Sequence, residues 1–258
     1  MSDTAVKLVK LVGRIFLDFD IHTVTGLHIG GSPGTLAIGN VDNPVIRNPL
    51  NGQPYVPGSS LRGKMRSQLE KELGAPQNVP IGKDVWIHSA TTADEYRDSM
   101  VSQTFGVSGN FSSEPTRLVV RDAFLTPESV EALKETRTDL PFTEVKWEAA
   151  IDRVTSSATP RQQERVPAGA IFRGALTFSL YNDIARDADL FSNIVRGLRL
   201  VEEDYLGGQG ARGSGQVRFS NIVLKVRALP TYDEVPQELD NLDALDEAWN
   251  RVLAELAK

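Results

Sequence analysis

The chain has 258 residues, 40% hydrophobic and 24% charged, with a formal net charge of −6, three histidines and no cysteine. That length accommodates a full hydrophobic core, as one large domain or a domain with insertions, and the composition is that of an ordinary soluble globular protein. Lack of cysteine excludes a disulfide framework and a thiolate metal site, and His22, His28 and His88 are too few for a histidine-built zinc centre.

The opening residues, Met1 to Lys7, carry no signal-peptide hydrophobic region, and no apolar run reaches membrane-spanning length, so a cytoplasmic location is expected. From Arg14 to His22, Ile15, Leu17, Phe19 and Ile21 alternate with Phe16, Asp18 and Asp20, the period of a strand with one buried face. A long loop punctuated by glycine and proline follows, from Thr25 to Pro57, and it sets His28 and Asp42 among turn residues. Each reads two ways from the loop alone: Asp42 as a reactive carboxylate or a plain Asx-turn, His28 as a phosphate contact or a partly buried ring.

Ser59 and Ser60 are good N-cap residues for a helix whose Leu61, Met65, Leu69 and Leu73 form one apolar stripe. Its first turns carry Arg62, Lys64 and Arg66, cations that oppose the helix dipole by about 0.3–1 kcal/mol each. A bound anion would reverse that penalty, so the hydroxyls, the first-turn N–H groups and the cations form a candidate phosphate site. A solvated basic face with Ser60 as an ordinary cap explains the same residues.

Residues 74–115 mix Pro, Gly, Ser, Trp86 and Phe105 without periodicity and are expected to form a partly ordered insertion. Strand signals resume at Arg117 to Leu125 and at Glu144 to Trp147. The polar stretch that follows, Ala149 to Gly169, holds Arg153, Arg161 and Arg165, and Ile171 to Tyr181 returns to alternation. A polar excursion between two strands is expected to be a long hairpin arm, over about residues 144–169.

From about Asp187, Leu190, Ile194, Leu198, Val201 and Tyr205 recur at helical spacing. They lead into residues 207–215, GGQGARGSG, five glycines in nine residues around one arginine. Gly208, Gly210 and Gly213 spell a formal G-x-G-x-x-G, but that fingerprint needs a strand before it and a helix after it, and here the order is reversed. A loop whose consecutive N–H groups converge on a sugar-phosphate backbone is the better reading; a glycine C-cap at Gly207 followed by a flexible hairpin is the alternative.

Gln216 to Val226 reads as a strand, and Leu239 to Leu256 as an amphipathic helix with Leu242, Leu245, Trp249 and Leu253 on one face. Residues 231–258 hold eight acids against Arg251 and Lys258, which leaves the body with as many bases as acids, 26 of each. An acidic total therefore does not exclude nucleic acid. Neither a serine-hydrolase elbow, nor a Walker A loop, nor H-E-x-x-H occurs. The β-α-β…β-α-β order predicts an α+β fold: a modified RRM/ferredoxin-like core over residues 1–230 with lid-like insertions (about 23–57 and 74–115), the hairpin arm, and an acidic helical tail over 231–258.

Several motifs occur together and in order: TGLHIGGS at Thr25–Ser32, DNPVIR at Asp42–Arg47, VPGSSLRGKMR at Val56–Arg66, RDAFL at Arg121–Leu125, TEVK at Thr143–Lys146, IDR at Ile151–Arg153 and DYLGG at Asp204–Gly208. Together they closely resemble the backbone subunits of type III-A CRISPR (Csm) effector complexes, in the RAMP superfamily, from about Leu11 to Val226. The resemblance implies copies stacked in a helical filament along a guide RNA (crRNA), each holding about six nucleotides. It further implies a hairpin "thumb" that splays one base pair per repeat between guide and complementary target RNA. By the same motifs Asp42 would cut target RNA at six-nucleotide intervals, with Mg²⁺ or Mn²⁺ at Asp42 and a 2′,3′-cyclic phosphate product. RNA contacts would fall on His28, Ser59, Ser60, Arg62, Lys64, Arg66 and Arg153, and on Gly207, Gly208, Gly210, Arg212 and Gly213. Implied partners are a large signalling subunit, a small subunit, and the subunits that cap the 5′ handle and the far end.

Residues 74–115 and the tail after Pro230 are longer than the family pattern, and the missing cysteines exclude the structural zinc of some relatives. Two other readings remain open: a silent crRNA-binding scaffold in which Asp42 is a turn residue, and a guide-processing endoribonuclease. Against the last stands the lack of a helix-borne acid or base to pair with His28.

Overall fold

The strand read at Arg14–His22 lies at the heart of the protein as β1 (Leu11–Thr23). The computed structural model describes residues 9–31, 43–108, 114–228 and 236–256, so Asp42 lies outside the described residues. After β1 come β2 (Tyr55–Val56), α1 (Gly58–Glu72), the small hairpin β3 (Val79–Pro80) and β4 (Trp86–Ile87), α2 (Ala93–Asp98) and α3 (Met100–Phe105). Next are β5 (Leu118–Val120), β6 (Ala123–Leu125), α4 (Pro127–Glu135), the arm strands β7 (Glu144–Ile151) and β8 (Ala158–Arg165), and β9 (Ile171–Tyr181). The chain closes with α5 (Ile184–Glu203), β10 (Val217–Ala228), β11 (Gln237–Leu239) and α6 (Leu242–Leu256).

The main sheet runs β11-β10-β1-β9-β6-β2, with β5 also paired to β9, and all its pairings are antiparallel. The four strands of the β-α-β-β-α-β unit thus lie in the order fourth, first, third, second, the arrangement of a ferredoxin-like core. Register explains the burial. Leu17 sits opposite Leu176 and Leu224, and Ile15 opposite Phe178 and Val226, so alternate side chains share one face. That face packs on Leu61, Met65 and Leu69 of α1 and on Leu190, Ile194, Leu198 and Val201 of α5, all buried. At Gly197 an added Cβ would lie 3.3 Å from both Met65 and Leu69, so α1 and α5 pass in close contact.

The other face of β1 mixes Phe16 with Arg14, Asp18, Asp20 and His22. Opposite β10 the register shifts between Asp18 and Asp20, where Asn221 adopts φ 49°, a β-bulge. Asp20 is buried there; burial alone would raise its carboxyl, but bonds from Arg173 (2.9 and 3.1 Å) and Asn221 (3.0 Å) hold it below the ordinary aspartate value.

Four readings of the sequence change. Ser59 and Ser60 do not cap α1: the N-cap is Pro57, and the Gly58 N–H donates to Asp122 Oδ1 at 2.8 Å. An added Cβ at Gly58 would strike Val120 O at 2.3 Å, so the chain enters α1 hard against the β5–β6 connection, and Asp122 supplies the anion that the helix dipole favours. Gly207 does not cap α5, which ends at Glu203 with Asp204 as its C-cap. The acidic tail is no appendage, because β11 pairs with β10 and Leu242, Leu245, Ala248 and Trp249 enter the core, each large side chain contributing about 1.5–3 kcal/mol. Trp249 packs edge-on to Phe191 at 4.6 Å, and Phe191 to Phe178 at 5.6 Å. Finally, α4 was not anticipated, although Thr126 caps it and Pro127 opens it.

Within the 74–115 insertion the described residues form β3, β4, α2 and α3. Its helices are short and capped by Thr92 and Ser99, and Val101 and Phe105 join the core. Arg117, just after it, pairs with Asp187 at 2.9 Å, both wholly buried.

Candidate nucleic-acid interface

Three segments meet where β1 ends: residues 23–31, the glycine loop 207–215 and the base of the β7–β8 arm. Leu27 and Val166 exchange both backbone bonds, at 2.9 and 2.8 Å. The Gly208 N–H donates to His28 O at 2.8 Å, the Gly215 N–H to Gly26 O at 2.9 Å, and the Gln216 N–H to Thr25 Oγ1 at 3.0 Å. His28 is a buried ring whose Nδ1 donates to Glu164 O at 2.7 Å. The loop therefore closes over His28, and the arm grows out beside it.

Two of the glycines, Gly207 and Gly215, are required by contact as well as by backbone angle. A Cβ at Gly207 (φ +76°) would lie 2.3 Å from His28 O, and one at Gly215 (φ +89°) 2.3 Å from Leu206 O. At Gly210 it would strike the Tyr205 ring. The expectation of outward amides is corrected for most of the loop. Gly208, Arg212, Gly213, Ser214 and Gly215 all donate to carbonyls of the protein, so these N–H groups fold the loop and are not aimed at a phosphate.

At the arm's base sits a carboxylate that the sequence reading passed over. Glu164 is buried, and Oε2 accepts the Val45 N–H at 2.8 Å while Oε1 accepts Thr143 Oγ1 at 2.6 Å and Arg47 Nη2 at 2.5 Å. Its own N–H reaches Asn43 O at 3.4 Å. One side chain thus ties the arm to residues 43–47, immediately after Asp42. The arm's other side is tied to the glycine loop: Lys146 Nζ donates to Arg212 O at 2.8 Å and pairs with Glu148 at 2.9 Å, and Arg212 lies 3.4 Å from Glu148. The Lys146 hydrogen bond, with the charges of Lys146, Arg212 and Arg161, holds the Glu148 carboxyl below the usual glutamate value.

The α1 cations have protein partners. Lys64 pairs with Asp204 at 2.7 Å and lies 3.5 Å over the Tyr205 ring, the ring that packs on Gly210, so α1 joins the glycine loop through Lys64. Arg62 donates to Phe105 O and sits 5.8 Å over that ring; burial and neighbouring Arg66 lower its pKa. Arg66 pairs with Glu70 at 2.8 Å and donates to His88 O at 2.5 Å. Arg62 and Arg66 therefore turn toward the insertion. Ser59 is exposed and Ser60 half-buried at the start of α1. Arg153 stands in the turn at the far end of an eight-pair ladder, roughly 25 Å from the base. Among the described residues no group of three or more His, Asp or Glu could hold a metal ion, and both oxygens of Glu164 are engaged.

A ferredoxin-like sheet bearing a hairpin arm rooted beside a glycine loop defines a class of decorated RNA-recognition folds. The chain belongs to the RAMP superfamily, whose model matches residues 20–218, and within it to the Csm3 family. It is 43% identical over 224 residues to the CRISPR system Cms endoribonuclease Csm3 of Methanothermobacter thermautotrophicus, covering 81% of this chain and 84% of that one. The protein of the same name from Streptococcus thermophilus is 36% identical over 213 residues, covering 81% and 88%. Among solved structures, a chain of the Csm3-Csm4 subcomplex of a type III-A CRISPR-Cas interference complex is 26% identical, with TM-score 0.60 over 94% of this chain and 97% of that one. Methanopyrus kandleri Csm3, 20% identical with TM-score 0.64 over 95% and 98%, shares the fold.

Proposed function

We propose that this chain is a backbone subunit of a type III-A CRISPR complex, binding crRNA and cutting complementary target RNA with Asp42. The observation that carries the reading is the double anchorage of the arm: Glu164 joins it to residues 43–47 beside Asp42, and Lys146 joins it to the glycine loop. An arm fixed at that point can part guide from target next to the carboxylate. Sequence reading is left to base pairing with the guide, and the protein supplies backbone and shape contacts.

Splaying one base lets the flanking ribose rotate until its 2′-oxygen lines up with the adjacent phosphate, a positioning effect that supplies much of the rate. On this reading Asp42 either accepts the 2′-hydroxyl proton or holds a divalent cation. A single carboxylate suits a largely hydrated Mg²⁺ or Mn²⁺ that takes its other ligands from water and RNA phosphate; bound there, the ion would stabilise the charge developing on the phosphoryl oxygens. The other type III subunits and the location in the cytoplasm follow from the same reading.

The test uses assembled complex and matched RNA, with and without EDTA, and maps fragment ends. Asp42→Ala is expected to abolish products spaced six nucleotides apart, ending in 2′,3′-cyclic phosphate, while crRNA binding persists. Unchanged cutting by that variant would count against Asp42, and an assembled complex that cuts no matched RNA in added Mg²⁺ would be a silent scaffold.

A further inference from the structure

The face of the main sheet turned away from α1 and α5 carries side chains that the core does not use. Across it, by register, Phe16 stands between Thr177 and Lys225, Asp18 between Ala175 and Val223, and Asp20 between Arg173 and Ser220. Beyond Arg173, on β6, comes Phe124, 48% exposed and stacked on Tyr55 with ring centroids 5.7 Å apart. Along β9 the short Ala175 falls between Thr177 and Arg173, and a cavity of about 370 Å³ opens there. Arg121, Asp122, Arg173 and Asp18 border it, and the β-bulge brings in Asn221.

The charged groups of this cavity have bonding capacity left over. The Arg121 guanidinium has no partner among the described residues. Arg173 gives Nε and Nη2 to Asp20, which fixes its orientation, and keeps Nη1, its side chain 61% exposed. Asp122 offers Oδ1 to the Gly58 N–H and Asp18 offers Oδ2 to Lys225, so each retains an oxygen. Simple ions do not match this set: an inorganic anion would meet two carboxylates, and a metal ion two guanidinium groups. A neutral planar group with both donors and acceptors on its edges matches it. Guanine is such a group, since O6 and N7 accept from a guanidinium while N1–H and the N2 amino group donate to a carboxylate.

We infer that this face is a second RNA site, where a single strand places a guanine in the cavity, O6 and N7 on Arg121, and the neighbouring base on Phe124. A strand fits better than a free nucleotide, because an exposed ring takes a second base by stacking and cations of the same face, Arg14, Lys225 and Arg227, can follow its phosphates. The site goes beyond the crRNA binding and target cutting proposed above and uses none of the residues assigned to them.

The test titrates labelled oligouridine, and the same oligomer with one central guanosine, against the free full-length chain and against complex filled with a crRNA that matches neither. The guanosine oligomer is expected to bind both at least about tenfold more tightly. Inosine, which lacks the amino group, and 7-deazaguanosine, which lacks N7, should each forfeit most of that preference. Arg121→Lys should abolish it and leave oligouridine affinity unchanged, because lysine keeps the charge without the two-pronged donor. Phe124→Ala should weaken both oligomers about tenfold. The site is overturned if the filled complex shows no preference for guanosine, or if Arg121→Lys retains it. Displacement by free GMP as effective as by unlabelled oligomer would also overturn it, for the cavity would then hold a mononucleotide and no strand. These titrations read binding alone, so their failure leaves the cutting assigned to Asp42 as it stands.

Discussion

The glycine loop and the hairpin arm leave the body side by side and are held in opposite ways. Main-chain bonds fix the loop, and at Gly207, Gly210 and Gly215 its contacts are so close that a single carbon would collide. Side chains fix the arm, through Glu164 on one face and Lys146 on the other. A backbone-held segment tolerates no added atoms at its points of contact, whereas a side-chain-held one tolerates change along its length but depends on a few polar residues at its root.

The largest effect is expected at that root. Glu164→Ala strands the guanidinium of Arg47, the Val45 N–H and the Thr143 hydroxyl, and should cost about 3–5 kcal/mol in urea unfolding. A loss below about 1 kcal/mol would mean that the arm is not held there. Next comes a pair within the loop. Gly207→Ala combines positive φ with a collision at His28 O and should cost about 3 kcal/mol. Gly213 has φ +79° with open space around it, so Gly213→Ala should cost only about 1 kcal/mol. Equal losses would mean that backbone angle alone, and not contact, fixes the loop.

The smallest effect is at the tether between the two regions. Lys146→Ala should change global stability by less than about 1 kcal/mol, yet raise hydrogen exchange along β7 and β8. The folded Glu148 value lies below its unfolded one, so the tether contributes fully above the unfolded value and is lost as pH falls through the folded value. Protection along the arm, with the intrinsic pH dependence of exchange divided out, should therefore fall in acid, and Glu148→Gln should flatten that dependence.

Elements with a strong period were readable in advance: the alternation of β1 and β9, the apolar stripes of α1 and α5, and the stripe of α6. The arm was readable as a polar excursion between strands. Helix α4 was missed despite Thr126 and Pro127, since nine residues give little periodicity, and α2 and α3 are shorter still. Within the site, the glycines stood out because five fall in nine residues around one arginine, and His28 because it lies among turn residues within a recognisable motif. Glu164 did not, because it lies 117 residues from Arg47 and nothing local marks a carboxylate in a polar stretch as buried. The cap on α1 was misassigned for a similar reason: Asp122 is 64 residues from Gly58.

The shared carboxylate at the arm's root also bears on exchange of parts between homologous proteins. Transplanting residues 144–163 alone would deliver an arm without its fastening, whereas carrying Thr143, Glu164 and a matching arginine at position 47 would move a self-sufficient module. Engineers wishing to alter how far the arm reaches should lengthen it beyond the 148 pairing and leave its foundation intact.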